Sequence, residues 1–366
     1  MFRKPLSLKA VAVFVLTLEL FLSLDALNVS AQDTGGDNFV YVLTNKNPAN
    51  SVLQFRRAAD GSLTFVREVV TGGSGTGANG ADPLGSQDSL ILNGDGQILL
   101  AANAGSNDVS VFSARNGQLT WLSKSSSGGT FPNSVALSGD LVYVLNAQGT
   151  PNITGFRLDS HGMLHSIATV QLPGGTHGPN DVRFTPDGAH ILLTASGSNQ
   201  ILVFDVGDDG VAAAPSVQAS AGGAPFGIRF GHDGVAIVSE AAGSASSYRL
   251  DDDILDVISG AVSDTQKASC WISVDRAART AYLSNTASGT ISSFQISGQG
   301  ALALLDAVAA NPGGAPIDST LSRDGRFLYV VESAQGKALI FRSSEGSLLP
   351  LGSVEVPLGS QGIAAH

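Results

Sequence analysis

Residues 178–205, GPNDVRFTPDGAHILLTASGSNQILVFD, read as strand, turn, strand, short turn, strand. An apolar run ends at Phe184, and Pro186-Asp187-Gly188 supplies the fixed φ and the left-handed position of a turn before apolar residues resume at Ile191. Gly197-Ser198-Asn199 then breaks the chain ahead of Ile201 to Phe204. The same grammar recurs about every 45 residues, a period that belongs to propeller blades. Related turns stand at Asp60-Gly61, Asn93-Gly94-Asp95-Gly96, Asp233-Gly234 and Asp324-Gly325. A unit of a few short strands cannot bury its own apolar faces, so the units must stack against one another.

No unit contains an amphipathic helical pattern, and 44 glycines with only 14% charged residues suit short strands and tight turns. The first unit, from Phe39, lacks the strand that precedes its Tyr41 strand, whereas Gln361 to His366 at the other end resembles the missing piece. An internal echo supports this, because Pro83-Leu84-Gly85-Ser86-Gln87 and Pro357-Leu358-Gly359-Ser360-Gln361 both lead into an inner strand. The predicted fold is therefore an all-β, seven-bladed propeller, its ring closed by the C-terminal strand pairing with the N-terminal blade.

The amino terminus reads as a signal peptide over residues 1–31. Arg3, Lys4 and Lys9 are its basic region, Ala10 to Leu24 its apolar region, and Val29-Ser30-Ala31 its cleavage site. A single mature domain, 32–366, is expected outside the cytoplasm, secreted or periplasmic, with no membrane contact after cleavage. The net charge is −11, and loss of the leader's three basic and two acidic residues makes it one unit more negative. That balance argues against nucleic acid and anionic membranes as partners. Cys270 is the sole cysteine, so no intramolecular disulfide can form.

Several chemistries are absent by inventory. There is no CxxC and no HExxH; His161 and His165 fall in a turn and a strand, and Gly72 to Gly80 lacks the lysine and helix of a phosphate cradle. Neither a metal nor another cofactor is expected. The segments that lead into the innermost strands are more informative, since a propeller gathers them at one mouth of its channel. They are Asp88-Ser89, Asn133-Ser134, Asn180-Asp181, Phe226-Gly227, Cys270-Trp271, Ile317-Asp318 and Gln361-Gly362, with Asn103, Asn146, Asn285, Glu240 and Glu332 ending second strands at the same level.

From these, Glu240, Asp181 and His177 are the candidate catalytic residues. Glu240 would serve as a general acid/base whose pKa burial raises, Asp181 would position water and His177 would exchange protons. The competing reading of Glu240 is a blade-closing carboxylate that accepts backbone N–H groups. Asn180, Trp271, Asp318, Glu332 and Asp88 are candidate substrate contacts, with Trp271 able to stack on a ring or to wedge between blades.

Tyr-Val-Leu-Thr-Asn at 41–45, Tyr-Val-Leu-Asn at 143–146 and Pro-Asp-Gly at 186–188 resemble the YVTN repeat of the lactonase-type seven-bladed propellers, which include 6-phosphogluconolactonase-like and carboxymuconate-cyclase-like proteins. The resemblance spans nearly all of 38–366. It implies lactonase or cycloisomerase-like chemistry if the chain is active, on a small cyclic ester held in the central funnel. It also implies that the fifth blade begins Gly-Pro-Arg-His and ends its second strand Asn-Glu, with Arg and Glu acting on substrate. Here Ser239-Glu240 keeps the acid, while Phe226 stands at the Arg position and Gly227 at the His position. No cationic clamp for a phosphorylated substrate is therefore expected at that mouth. A second function class stays open, a non-catalytic propeller that serves as a binding or scaffold module for a small molecule or a protein partner.

Overall fold

In a computed structural model of the chain, residues 1–2, 38–78 and 80–366 are described; the expected leader lies outside them from residue 3 onward. Residues 38–366 form seven antiparallel four-stranded sheets arranged as consecutive blades. Blades 2 to 7 each run from an innermost to an outermost strand in chain order. Their innermost strands are Leu90–Leu92, Thr130–Ser138, Pro179–Phe184, Pro225–Phe230, Ser269–Val274 and Ser319–Leu321. Blade 1 takes its innermost strand, Ile363–Ala365, from the C-terminus, pairing Val42 with Ile363 and Val40 with Ala365. The ring therefore closes as the repeat arithmetic requires, and the Phe39–Leu43 strand of blade 1 is not left as a bare inner edge.

The core is distributed as layers between blades. Tyr143, Leu145 and Ile153 of blade 3 pack on Val182, Leu193 and Phe204 of blade 4. Ile237 of blade 5 likewise meets Ile272, Leu283 and Phe294 of blade 6. The repeated tyrosines act in these layers. Tyr143 Oη donates to Gly210 O (2.7 Å) and accepts from Ala212 N (2.7 Å) in the next blade. Tyr329 Oη reaches Gly61 O (3.2 Å) across the closure, and Tyr282 Oη pairs with Ser343 Oγ (2.8 Å). Tyr143 and Tyr329 fill wedges between blades while their hydroxyls tie outer turns of the following blade, where a Phe would leave those backbone groups unpaired; Tyr282 ties the Ser343 side chain instead.

Among the described residues no helix is long and apolar enough to cross a membrane. The innermost strands all begin at one mouth of the channel, here the upper, and end at the lower.

Candidate functional site

The upper mouth is where the sequence places its candidates, and it is filled. The segment Asp82 to Gln87, ahead of blade 2, runs over the beginnings of the innermost strands. Ser86 Oγ donates to Asn133 O (2.7 Å) in blade 3, and Asn180 Nδ2 of blade 4 donates to Gly85 O (2.7 Å). Trp271 Nε1 of blade 6 and Gln361 Nε2 both donate to Ser86 O, at 2.9 and 2.8 Å. Gln87 clamps the blade 6 backbone with its amide, donating to Ile272 O (2.8 Å) and accepting from Ile272 N (3.1 Å). Ser86, Gln87 and Leu84 are buried. The two echoed segments thus touch each other, since Gln361 Oε1 also accepts from Leu84 N (2.8 Å).

This strap accounts for the odd sequence of blade 5. A Cβ on Gly227 would lie 2.0 Å from Gln87 Oε1, so the position cannot carry a side chain while Gln87 occupies the mouth. Phe226, beside it, packs on Trp271 with ring centroids 4.9 Å apart. Trp271 is buried against the strap and Phe226, as a wedge rather than a stacking platform. Cys270 is buried too, and burial raises its thiol pKa, so it is an inert small hydrophobe.

Glu240 is fully buried in a cage of its own blade and the loop before it. Its carboxylate accepts from Gly222 N (2.9 Å), Ser220 Oγ (3.2 Å), Ser246 Oγ (2.6 Å) and Ser244 Oγ. None of these partners belongs to Asp181 or His177. The arrangement is that of the blade-closing carboxylate, with hydroxyl donors added to the backbone one. His177 is exposed, and its backbone N–H lies 3.3 Å from Ser198 Oγ. Asn180 joins the strap and also accepts from Ser196 N (3.1 Å). Glu332, the blade 7 counterpart of Glu240, is buried with Oε1 unpartnered among the described residues, and burial lifts its pKa to about 7 against the pull of Lys337. The three catalytic candidates are not brought together, whereas Asp88, Asp181 and Asp318 belong to one cluster.

That cluster lies below the strap and includes two arginines the sequence reading overlooked. Residues two apart on a strand share a face, so Arg183 follows Asp181 and Arg229 follows Gly227 one step down the channel. Asp88 is held at φ 63°, a left-handed conformation that Asp tolerates, and its carboxylate takes both guanidiniums. Arg229 Nη2 donates to Asp88 Oδ1 (2.8 Å) and Nη1 to Oδ2 (3.0 Å), while Arg183 Nη1 bonds Oδ2. Asp181 accepts from Ile228 N (2.8 Å) and Ser134 Oγ (3.1 Å), with Arg229 Nη1 3.9 Å away. Asp318 Oδ2 has no partner among the described residues although the residue is buried.

The electrostatics divide these acids. Burial alone would raise the Asp88 pKa, but Arg183 and Arg229 outweigh it and hold the group ionised below the usual range. Burial, and then the Asp88 charge, push Asp181 up to about 7 against the opposing pull of Arg229. Asp318 is raised well above its ordinary value by burial and Asp88. The cluster therefore combines two cations and one acid held ionised with two acids, Asp181 and Asp318, whose charged forms are disfavoured.

Below it the channel opens. A cavity of about 800 Å³ at the lower mouth is lined by the strand ends of blades 2 to 6, including Arg183, Arg229, Thr185, Ser138, Asp275 and Arg276. The side chains of Arg183 and Arg229 are 33% and 16% exposed, so both remain reachable. Two guanidiniums at the inner end of a polar funnel can take a carboxylate with charge-assisted hydrogen bonds. Their signal in the sequence was the charged residue at the same offset in two adjacent inner strands. Among the described residues no group of three or more His, Cys, Asp or Glu is placed to hold a metal ion.

The fold and its repeat define a class, and comparison with known proteins agrees. The family described as "Lactonase, 7-bladed beta-propeller" matches residues 38–177 and 176–357. The chain belongs to this family. No curated protein matches it. Among solved structures, a Lactobacillus plantarum protein superposes with a TM-score of 0.74 at 20% identity, over 90% of this chain and 99% of its own. The periplasmic gluconolactonase PpgL of Pseudomonas aeruginosa does so with 0.72 at 17% identity, over 90% and 98%. A Bacteroides fragilis protein provisionally named a 6-phosphogluconolactonase gives 0.73 at 19%, over 91% and 99%. At these identities the likeness concerns the fold.

Proposed function

We propose that this propeller acts outside the cytoplasm and holds a small cyclic ester bearing a carboxylate, or the hydroxy acid to which such an ester opens, in the lower cavity. The observation that carries this reading is the pair Arg183 and Arg229, partly exposed at the inner end of a cavity of about 800 Å³. Of the three acids in the cluster only Asp88 is held ionised below its usual range, while the charged forms of Asp181 and Asp318 are disfavoured, so an incoming carboxylate can share the two arginines. An extracytoplasmic site is supported by the leader-like first 31 residues and by a periplasmic relative of the same fold.

Recognition is favoured over turnover because Glu240, the acid the family pattern would use, has its oxygens occupied by four donors of its own surroundings. Hydrolysis is the second reading, favoured by family membership and by Asp181, whose pKa near 7 suits a proton acceptor for water. Calorimetric titration with muconolactone, gluconate and neutral gluconolactone separates them. Wild type is expected to bind the two carboxylates at least about tenfold more tightly than the neutral lactone. Arg183→Gln, with melting temperature as a folding control, is expected to remove that preference. Equal affinity for all three compounds, or an unchanged preference in a folded Arg183→Gln, would refute the site. Lactone opening by wild type that is lost in Arg183→Gln would establish the hydrolytic reading.

A further inference from the structure

The lower face of the ring is not uniformly charged. The turns that follow the innermost strands of blades 2 to 5 present Asp95, Asp140, Asp187 and Asp233, of which Asp140 is paired with Arg157 at 3.1 Å. The same turns in blades 6 and 7 present Arg276, Arg279, Arg323 and Arg326, all exposed, beside Asp275 and Asp324. Their partners differ. Asp324 is taken by Arg57 (3.3 Å), by Ser322 Oγ (2.6 Å) and by Arg326 N (3.1 Å). Arg326 stacks over Phe327, 5.3 Å from the ring centroid, and Arg323 contacts His366. Arg276 and Arg279 have no ion-pair partner among the described residues; Asp275 accepts the Arg279 backbone N–H (2.7 Å) instead.

These cations adjoin the channel. A hollow of about 470 Å³ between the turns of blades 6 and 7 is lined by Asp275, Arg276, Arg279, Arg323 and Asp324. Asp275 and Arg276 also line the central cavity, so the two spaces share a wall. An anion seated on Arg183 and Arg229 thus has the rim cations of blades 6 and 7 to run onto on one side; on the other it meets Asp95, Asp187 and Asp233 of blades 2, 4 and 5.

We infer that the cyclic ester or hydroxy acid held on Arg183 and Arg229 is the end unit of an elongated polyanion, a linear chain with acidic groups spaced along it, with a further acidic group on Arg276 and Arg279 at the blade 6–7 rim. This rests on the channel site proposed above and adds to it a direction and a minimum length. A single small carboxylate fills only the inner half of the site. The rim cations are solvated, so their share is modest and sensitive to salt, whereas the buried Asp88 cluster is screened much less.

Galacturonate and its linear trimer are suitable probes, titrated calorimetrically at low and moderate salt into the mature wild-type chain, the surface double variant Arg276→Gln/Arg279→Gln, and Arg183→Gln. Wild type is expected to bind the trimer about three- to tenfold more tightly than the monomer, a gap that narrows as salt rises. The rim double variant, whose positions are exposed and whose folding is checked by its melting curve, should keep monomer affinity and lose the gap. Arg183→Gln should weaken both probes. If the gap persists in the rim variant, or if wild type binds both probes equally, the rim subsite is wrong while the channel site stands. If the trimer depends on Arg276 and Arg279 but not on Arg183, the channel site is wrong and with it the bridging ligand.

Discussion

The two mouths of one channel have opposite chemistry. At the upper mouth a strap fills the space: Asn180, Trp271 and Gln361 donate to it, its Gln87 clamps the blade 6 backbone, and Gly227 yields the space. At the lower mouth the innermost strands end without a cover among the described residues, and the buried ion cluster faces an open cavity. A propeller needs some closure of its channel, because inner-strand groups cannot be left both dry and unpaired. Here one mouth supplies the closure, and the proposed ligand takes the other. Phe226 and Gly227, which stand where the resemblance leads one to expect Arg and His, belong to the sealed mouth and serve its packing.

The largest effect should come from the cluster that divides the two mouths. Asp88→Asn leaves Arg183 and Arg229 facing each other without their shared carboxylate, and removal of one partner from a buried ion cluster costs about 3–5 kcal/mol. Chemical denaturation should show the loss directly. A loss under 1 kcal/mol would mean that solvent in the lower cavity already compensates the arginines, and that the two mouths are less distinct than drawn.

Next comes the seal. Gly227→Ala forces a methyl to 2.0 Å from Gln87 Oε1 and 3.0 Å from Ile272 Cγ2, overpacking that costs about 1–3 kcal/mol. Gln87→Ala abandons two hydrogen bonds to the Ile272 backbone and costs a similar amount. The informative quantity is their combination. Without the Gln87 amide the new methyl has room, so the double variant should be less destabilised than the sum of the single ones. Additive losses in denaturation midpoints would show that Gly227 is needed for another reason.

Much of the ring was legible from local chemistry. Turns such as Pro186-Asp187-Gly188 have one physical reading, and Tyr143 or Tyr329 recur because each blade poses the same wedge to fill. The missing first strand was legible because Ile363–Ala365 had nothing else to pair with. The strap was not legible, although its echo with residues 357–361 was visible, because no local pattern says that Gln87 reaches Ile272, 185 residues away. Glu240 was misleading for a related reason. Its donors come from the preceding loop and the next strand, so position alone could not separate a walled-in carboxylate from a reactive one. Arg183 and Arg229 stand at matched offsets, yet only the placement of blades 4 and 5 around Asp88 makes a site of them.

Glu240→Gln tests the mouths from the other side. An amide can accept at one oxygen only, and its NH₂ faces hydroxyls that the carboxylate had oriented as donors, so stability should fall by about 1–3 kcal/mol. Affinity for carboxylate probes should not change. Loss of binding in a variant that still melts cooperatively would return the site to the upper mouth.

The smallest effect, and the one that joins the cluster to the ligand, is the dependence of affinity on pH. Asp181 has a folded pKa of about 7 against an unfolded value near 4, so across that window the native state keeps a proton that the unfolded chain has released. Stability should therefore decline as pH rises from about 4 to 7 and level off above, with Asp318 and Glu332 acting in the same direction. Asp181 faces Asp88 and Arg183 within the cluster, Arg229 at 3.9 Å, Ser134 and the Ile228 N–H, with Asp318 adding its own charge to the group. An anion on the arginines prefers Asp181 protonated. Carboxylate affinity should thus fall by up to about tenfold between pH 6 and pH 8, the equivalent of one unit of pKa change on binding. Asp181→Asn, which mimics the protonated side chain, should flatten that profile and hold it at the acid limit. A profile that stays steep in Asp181→Asn would assign the proton to Asp318, whose carboxyl has an unpartnered oxygen in the same cluster.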